Sequence, residues 1–284
     1  MRAAARRGWG VGDIAAAILA ASLVALFLLP LVALARSTGF SSVLNVANDP
    51  AFRAALGFTL LASGIALAIV LVLGVPFGYL LARREFPGKP VVEAVVTLPV
   101  LVPHLVVGLA LLFLLSPEEP IGGALRSAGI PVVDSIWGVV AVMVYVSASY
   151  TVLSSEIAFR AVDGELVEAA RSLGATPADA FADVTLPLAA RGILSGLLLS
   201  WARAVSEIGG FLVLAYTVYP SPGYGGPVTN PVSIYVYNLY DLGNLPGAAA
   251  AACLLVLIAL AVFVAVRAIA RVGILPWSGA GAPT

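Results

Sequence analysis

Six apolar runs, each long enough to cross a lipid bilayer, constrain this chain more than any other feature. Crossing about 30 Å of hydrocarbon takes roughly 20 helical residues at 1.5 Å each. The runs do not alternate apolar and polar residues with a period of two, as the strands of a membrane barrel do. The sequence therefore predicts an all-α integral membrane protein, a single domain over residues 1–284, with about six transmembrane helices. The runs are 14–35, 58–81, 94–115, 136–153, 193–216 and 247–266.

Composition excludes several other classes of protein. Apolar residues make up 61% of the chain and charged residues 11%, against about 45–50% and about 25% in soluble domains. Such a chain cannot hide its apolar residues inside a water-soluble globule. The formal net charge is zero, so nothing favours a nucleic-acid partner. One cysteine cannot form an internal disulfide, and one cysteine with one histidine cannot form a Cys/His metal site.

The first apolar run also has some features of a cleaved signal peptide. Arg2, Arg6 and Arg7 precede it, and the residues at 33–35 resemble a signal-peptidase site. The run is about twice the length of a normal signal h-region, so we expect a retained helix. Cleavage stays open as the alternative and would leave the other five spans in the same orientation.

The distribution of Lys and Arg predicts the orientation in the membrane. Eleven of them fall in one set of connecting segments and three in the other, which comprises Arg36, Arg53 and Arg126. We therefore expect both termini and the segments 82–93 and 154–192 to lie in the cytoplasm. The eleven are Arg2, Arg6, Arg7, Arg83, Arg84, Lys89, Arg160, Arg171, Arg191, Arg267 and Arg271.

The segment 154–192 is the longest predicted cytoplasmic connection, and it contains two short helical patterns. The first covers about 165–173 and stops at Gly174, a common glycine helix end. The second begins at Thr176-Pro177, a capping residue followed by a proline at the first helical position. We expect it to end before Leu186-Pro187. Two amphipathic turns on a short connection form a compact protrusion that suits docking in a groove of a partner protein.

The same segment resembles the EAA loop of ABC-type importer permeases. It carries Glu168-Ala169-Ala170, then Gly174, then Val184 and Leu186-Pro187 at the family's spacing, with Val184 in place of the usual Ile. The resemblance implies the type I ABC importer permease fold, with this loop seated in an ATP-hydrolysing subunit. The residues that it assigns to ATPase coupling are Glu168, Ala169, Ala170, Gly174, Phe181, Leu186 and Pro187.

The chain itself lacks the phosphate-binding loop of such an ATPase. That loop requires Gly, four residues, then Gly-Lys-Ser/Thr, and the only Lys lies in Pro87-Gly88-Lys89-Pro90. The chain is thus predicted to be a transport subunit with no enzymatic activity or cofactor of its own. The resemblance implies that two partner ATPase subunits bind ATP and Mg²⁺.

Two further stretches resemble the molybdate/tungstate branch of these permeases. Residues 98–108 read LPVLVPHLVVG, with His104 after Pro103 as in archaeal members, and residues 201–210 read WARAVSEIGG. Ile208 and Gly210 depart from the usual Phe and Ala. The resemblance implies a homodimer in the plasma membrane of a prokaryote, which imports molybdate or tungstate delivered by an extracellular or periplasmic binding protein. A sulfate or thiosulfate permease is the alternative.

Charged residues at membrane depth are costly and mark sites of interest. Arg203 and Glu207 are four residues apart, so they can pair on one helix face. The pair could fix helix packing, contact the permeating anion, or act as a gate. His104 could titrate near neutral pH or hydrogen-bond a carbonyl freed by a proline. Small polar or glycine residues that could line an anion path are Ser200, Ser206, Gly209 and Gly210.

Pro99 and Pro103 should kink the third span, and the turn-rich segment 217–246 can hold one short helix at 233–242.

A membrane enzyme would need a catalytic constellation, which His104, Arg203 and Glu207 do not form recognisably. A secondary transporter would usually show repeat symmetry or charged relays in several spans, whereas embedded charge is found in one.

Overall fold

The computed structural model describes residues 10–272 as an α-helical bundle. Arg2, Arg6 and Arg7, on which the orientation prediction partly rests, lie outside the described residues. The described part contains no β-strand, only two isolated bridges, between Val218 and Thr229 and between Ser221 and Tyr224. Its helices are α1 Val11–Ser37, α2 Phe40–Asn48, α3 Pro50–Arg83, α4 Lys89–Leu101, α5 His104–Leu115, α6 Pro120–Ser127, α7 Ile136–Arg160, α8 Gly164–Ser172, α9 Pro177–Ala180, α10 Leu186–Val205, α11 Gly209–Leu214, α12 Val232–Asp241 and α13 Leu245–Val272.

The predicted membrane architecture is confirmed. Five helices are long and apolar enough to cross a bilayer, and the number rises to six when the bent pair α4 and α5 is counted as one span. The first run is a single helix, α1, whose apolar window is unburied within this chain. The second run is longer than predicted, because Asp49 accepts the N–H of Ala51 and Pro50 provides the first helical position.

The third span corrects the sequence prediction of one kinked helix over 94–115. It is two helices that meet at an angle of 113°. The break lies at Val102, which is extended (ψ 131°), and Pro103. A proline disfavours helical backbone at the residue before it and contributes no N–H of its own, so the helix ends there. Pro99, by contrast, lies inside α4 without interrupting it.

The fifth span also differs from the prediction of one helix over 193–216. Helix α10 ends at Val205, residues 206–208 are not helical, and α11 begins at Gly209. The carboxylate of Glu207 accepts the N–H of Gly210 at 2.8 Å, and two consecutive glycines lower the local helix propensity. A side chain thus replaces a backbone acceptor at this break.

The segment 154–192, predicted as a loop with two short helices, is mostly helical. The connection between α7 and α10 is therefore shorter than predicted at both ends. The first seven residues of this segment complete α7, which reaches Arg160. At the other end the second short helix does not stop before Leu186: it runs through a π turn, Phe181–Thr185, into α10. Pro187 is tolerated there because it falls in the first turn of α10 after the π turn. Residues Pro177–Val205 therefore form one helical rod.

Helices α3, α7 and α10 form the centre of the bundle, and small residues bring them together. A Cβ on Gly78 of α3 would lie 2.7 Å from the carbonyl oxygen of Val152 in α7. A Cβ on Gly196 of α10 would lie 2.4 Å from the Cβ of Ser154. Such close approach between helices is typical of membrane bundles. The predicted helix at 233–242 is confirmed as α12, which packs on α3 and α13.

Candidate functional site

The coupling knob, which we define as residues 161–185, is built from local capping interactions. Asp163 caps α8 by accepting the N–H of Glu165 at 2.9 Å. At the other end Gly174 has φ 99°, and the N–H of Ala175 reaches back to the carbonyl of Ala170 at 3.1 Å. This is a left-handed glycine helix end, so the predicted helix stop at Gly174 is confirmed.

The second half of the knob starts with the predicted Thr176 cap. The N–H of Asp179 donates to the Thr176 hydroxyl oxygen at 3.2 Å, and the N–H of Thr176 donates to the Asp179 carboxylate at 3.0 Å. The hydroxyl of Thr176 also donates to that carboxylate. These hydrogen bonds hold the pKa of Asp179 below its ordinary value, because they stabilise the ionised form. Two short helices thus keep their shape without a large core of their own.

Aromatic side chains attach the knob to the helix bundle. Phe181 packs against Tyr79 of α3 at 5.1 Å and Phe159 of α7 at 6.2 Å between ring centroids, and Tyr79 and Phe159 are 5.1 Å apart. Arg83 donates to the carbonyl of Val162 at 3.1 Å. Phe181, predicted as a coupling residue, therefore faces the bundle and anchors the knob.

The remaining predicted coupling residues lie on or beside the exposed surface of the knob. Glu168, Ala169 and Gly174 are exposed, and Ala170, Leu186 and Pro187 are partly buried. Leu173 is 90% exposed and Leu166 is 50% exposed. Exposed apolar side chains around a rigid protrusion are typical of a protein docking surface.

A second site, which we call the charged junction, lies where the two broken spans meet. It consists of His104, Arg203 and Glu207. An Nη of Arg203 lies 2.7 Å from a carboxylate oxygen of Glu207 and 2.6 Å from Nε2 of His104. Nδ1 of His104 lies 3.3 Å from the same carboxylate oxygen. The predicted Arg203–Glu207 pair is confirmed, and the structure adds His104 to it.

The partners of His104 determine the orientation of its ring in the junction. Nε2 lies against the guanidinium of Arg203, which can only donate, so Nε2 is the acceptor of that contact. Nδ1 faces the carboxylate of Glu207.

The four small residues predicted along a path take different places. Ser200 is buried and donates to the carbonyl of Ser147 at 2.8 Å, with Thr151 2.7 Å away, so its hydroxyl joins α10 to α7. Ser206 is exposed, Gly209 is partly exposed and Gly210 is buried. A Cβ on Gly209 would lie 2.7 Å from the Cβ of His104, which keeps α11 close to α5.

Sequence reasoning missed the contact between His104 and Arg203, which are 99 positions apart. One signal was available. Both residues fall close to the middle of their apolar runs, 94–115 and 193–216, so the sequence predicts a similar depth in the membrane for both. Among the described residues, no three His, Cys, Asp or Glu side chains come close enough together to hold a metal ion.

Known proteins resemble this chain over most of its length. It is 34% identical over 235 residues to the molybdate/tungstate transport system permease protein of Thermococcus kodakarensis, which covers 78% of this chain and 89% of that relative. It is 36% identical over 261 residues to the probable molybdenum ABC transporter permease protein of Haloferax volcanii, which covers 92% and 90%.

The fold also has a solved counterpart. A bacterial ABC transporter involved in the import of the acidic polysaccharide alginate superposes with a TM-score of 0.68 at 19% identity, over 92% of this chain and 96% of that one. The chain therefore has the type I ABC importer permease fold. The family model for the binding-protein-dependent transport system inner membrane component matches residues 74–272, and the chain belongs to that family.

Proposed function

We propose that this chain is the membrane-spanning subunit of an ATP-driven importer that translocates molybdate or tungstate delivered by an extracellular binding protein. The observation that carries the proposal is the likeness to molybdate/tungstate permeases over most of both chains. The relatives described above are named for molybdate, tungstate or molybdenum, so sulfate or thiosulfate is not favoured.

The proposed assembly has two copies of this chain, two ATPase subunits below and one binding protein above. It lies in the plasma membrane of a prokaryote with both termini in the cytoplasm. The exposed knob, with Leu166 and Leu173 on its surface, supports docking to an ATPase. Helix α1, which is unburied within the chain and lies against α13, leaves a long apolar face for lipid or the second copy.

One continuous helical rod supports mechanical coupling between the knob and the middle of the membrane. The helix Pro177–Val205 begins in the knob and carries Arg203 near its far end; at 1.5 Å per residue it is about 43 Å long. Movement of the knob by the ATPases would displace this rod and the junction that it carries. Nucleotide below and loaded receptor above would each favour one conformation, as alternating access requires.

Reconstitution tests the proposal. The chain, its ATPase and its binding protein are placed in proteoliposomes, and uptake of radioactive tungstate is measured. We expect uptake to require both ATP and loaded binding protein. Unlabelled molybdate should inhibit the uptake of tungstate more strongly than sulfate does. Omitting ATP, or using an ATPase unable to hydrolyse it, is the control. Uptake driven by an ion gradient without ATP would contradict the proposal.

A labelling experiment tests the sidedness. Cys253 is the only cysteine, so Cys253→Ser gives a background without thiols. Leu173→Cys in this background, produced without the ATPase that would cover it, should react with a membrane-impermeant maleimide only when the cytoplasmic face is exposed. Reaction from outside intact cells would contradict the proposed orientation.

A further inference from the structure

We infer that Arg203 is a contact site for the permeating oxyanion, held in place by His104 and Glu207 and flanked by the hydroxyl of Ser206. This inference rests on the proposed function and adds a location within the membrane. The ligand class is a tetrahedral, doubly charged oxyanion.

Exposed polar groups at membrane depth point to a wet path. The side chain of His104 is 47% exposed, close to the middle of the predicted spans. Ser206 is exposed too, and its hydroxyl donates to the backbone carbonyl of Arg203 at 3.1 Å. Polar side chains at that depth normally face protein or a water-filled cavity, because lipid leaves them unsatisfied. The charged junction therefore borders a path or a second protein surface, and these two cases differ in access to water.

Both oxygens of the Glu207 carboxylate accept hydrogen bonds within the protein, so this carboxylate does not occupy the other donors of Arg203. The side chain of Glu207 is unexposed. One oxygen accepts the N–H of Gly210 at 2.8 Å, and the other accepts Arg203 at 2.7 Å. The hydroxyl of Ser233 in α12 donates to the backbone carbonyl of Glu207 at 2.6 Å. Glu207 is thus fixed from three sides, and its charge balances that of Arg203.

Arg203 retains unused hydrogen-bond donors. Both of its side-chain hydrogen bonds come from one terminal nitrogen, Nη2. A guanidinium carries five N–H donors, and within residues 10–272 Nε and Nη1 have no acceptor. Guanidinium groups bind oxyanions well because their donors match the oxygen geometry.

Because the Arg203–Glu207 pair carries no net charge, it suits an anion that passes through better than one that stays bound. An isolated arginine at this depth would hold a doubly charged anion strongly and slow its release. With Glu207 beside it, the net charge of the pair is zero, so the free donors of Arg203 orient the anion with modest affinity. His104 accepts from Arg203 and so acts as a positioning residue for the guanidinium.

Cysteine accessibility tests the inference. Ser206→Cys is made in the Cys253→Ser background, and the permease–ATPase complex is treated with methanethiosulfonate reagents of negative or positive charge. We expect the anionic reagent to react several-fold faster than the cationic one. Tungstate or molybdate at tens of millimolar should slow the reaction several-fold, and singly charged perrhenate should slow it less.

The matched control removes both charges at once. Arg203→Gln with Glu207→Gln, added to the Ser206→Cys complex, keeps a polar, uncharged side chain at both positions and leaves no buried charge unpaired. We expect it to lose both the preference for the anionic reagent and the protection by tungstate. A purely structural ion pair predicts that protection is unchanged in this variant.

Three results would overturn the inference: an introduced thiol at position 206 that does not react, a reactive thiol there that tungstate does not protect, or full protection in the variant that lacks both charges. The first would mean that a second copy or another surface covers the junction. Uptake of tungstate by the Cys253→Ser complex, measured in parallel, separates the two proposals. Uptake without protection refutes only the anion contact, whereas absence of ATP-driven uptake refutes the proposed function.

Discussion

The coupling knob and the charged junction are stabilised in opposite ways. In the knob the capping hydrogen bonds join residues within about one helical turn, and the groups involved are exposed; only the bond from Arg83 to the carbonyl of Val162 ties it to a distant helix. In the junction a contact joins residues 99 positions apart, and Glu207 is fully buried. Local caps survive on a surface because they need no partner element, whereas a buried charge persists only with its partner. A destabilising substitution in the knob should therefore disturb only the knob, whereas one in the junction should destabilise the helices that meet there.

Glycines show the same contrast. Gly174 in the knob has φ 99° and open space around its Cα, so it is needed for its backbone conformation. Gly108 in α5 has no such φ, but a Cβ there would lie 2.8 Å from the carbonyl oxygen of Gly210. It is needed for close approach of α5 and α11 at the junction.

The largest effect is expected from Arg203→Gln, because it leaves the Glu207 carboxylate buried without its cation. Removing one partner of a buried pair costs about 3–5 kcal/mol of unfolding free energy. The midpoint of thermal unfolding in detergent measures the loss. Arg203→Gln with Glu207→Gln should recover most of it, and Arg171→Gln on the exposed knob should change stability by less than about 0.5 kcal/mol. Equal midpoints for the single and double variants would contradict this account.

A smaller loss is expected from Gly108→Ala, which forces α5 away from α11. Overpacking a close contact costs about 1–3 kcal/mol. Gly64→Ala is the matched control, because a Cβ on Gly64 meets nothing within 4 Å and alanine favours helix. The same thermal assay should show a lower midpoint for the first variant and an unchanged or higher midpoint for the second. A reversed order would show that α5 and α11 do not need this contact.

In the knob, the effect of Gly174→Val should be local. Left-handed backbone costs about 1–2 kcal/mol for a residue with a Cβ, whereas Asn tolerates this conformation better. We expect Gly174→Val to weaken ATPase binding and transport while the bundle keeps its thermal midpoint. Gly174→Asn should retain more of both activities. Copurification of the ATPase and tungstate uptake measure the difference, and a lowered midpoint for Gly174→Val would contradict the local character of the knob.

The smallest effect concerns pH. Because Thr176 holds the pKa of Asp179 below its ordinary value of 3.8, the stabilisation is present above that value and is lost as pH falls through the lower folded pKa. The knob should therefore be insensitive to pH near neutrality and loosen only in strong acid. Pepsin cleavage within 161–185, compared with Asp179→Asn across the acidic range in which pepsin is active, checks this. The resistance of the unmodified chain to pepsin should approach that of Asp179→Asn as pH falls. A difference in resistance that stays constant with pH would be inconsistent with a stabilising role of the ionised Asp179 carboxylate.

The sequence predicted the structure best where the determinants are local. The cap at Thr176, the stop at Gly174 and the helix at 233–242 were all correctly predicted, because each depends on neighbouring residues. The end of α7 was misplaced because Ser154, Ser155 and Glu156 suggest a loop. In the structure Ser155 and Glu156 are buried, since Gly78 lets α3 approach α7 at that point.

The two helix breaks show the limit of sequence patterns. Pro99 and Pro103 both predicted a kink, yet only Pro103 ends a helix. The break after Val205 has no proline, and it depends on Glu207 turning its carboxylate to the N–H of Gly210 and to Arg203. No pattern of apolar residues specifies such an arrangement.

By itself the sequence determined the class of protein, the number of spans and the shape of the knob. Apolar length and local hydrogen bonds fix these, and both act within one segment of chain. Only the tertiary structure decided that His104, Arg203 and Glu207 form one junction and that Pro177–Val205 is one rod. A buried polar group takes whichever partner the packing of distant helices brings within reach, because lipid offers it none.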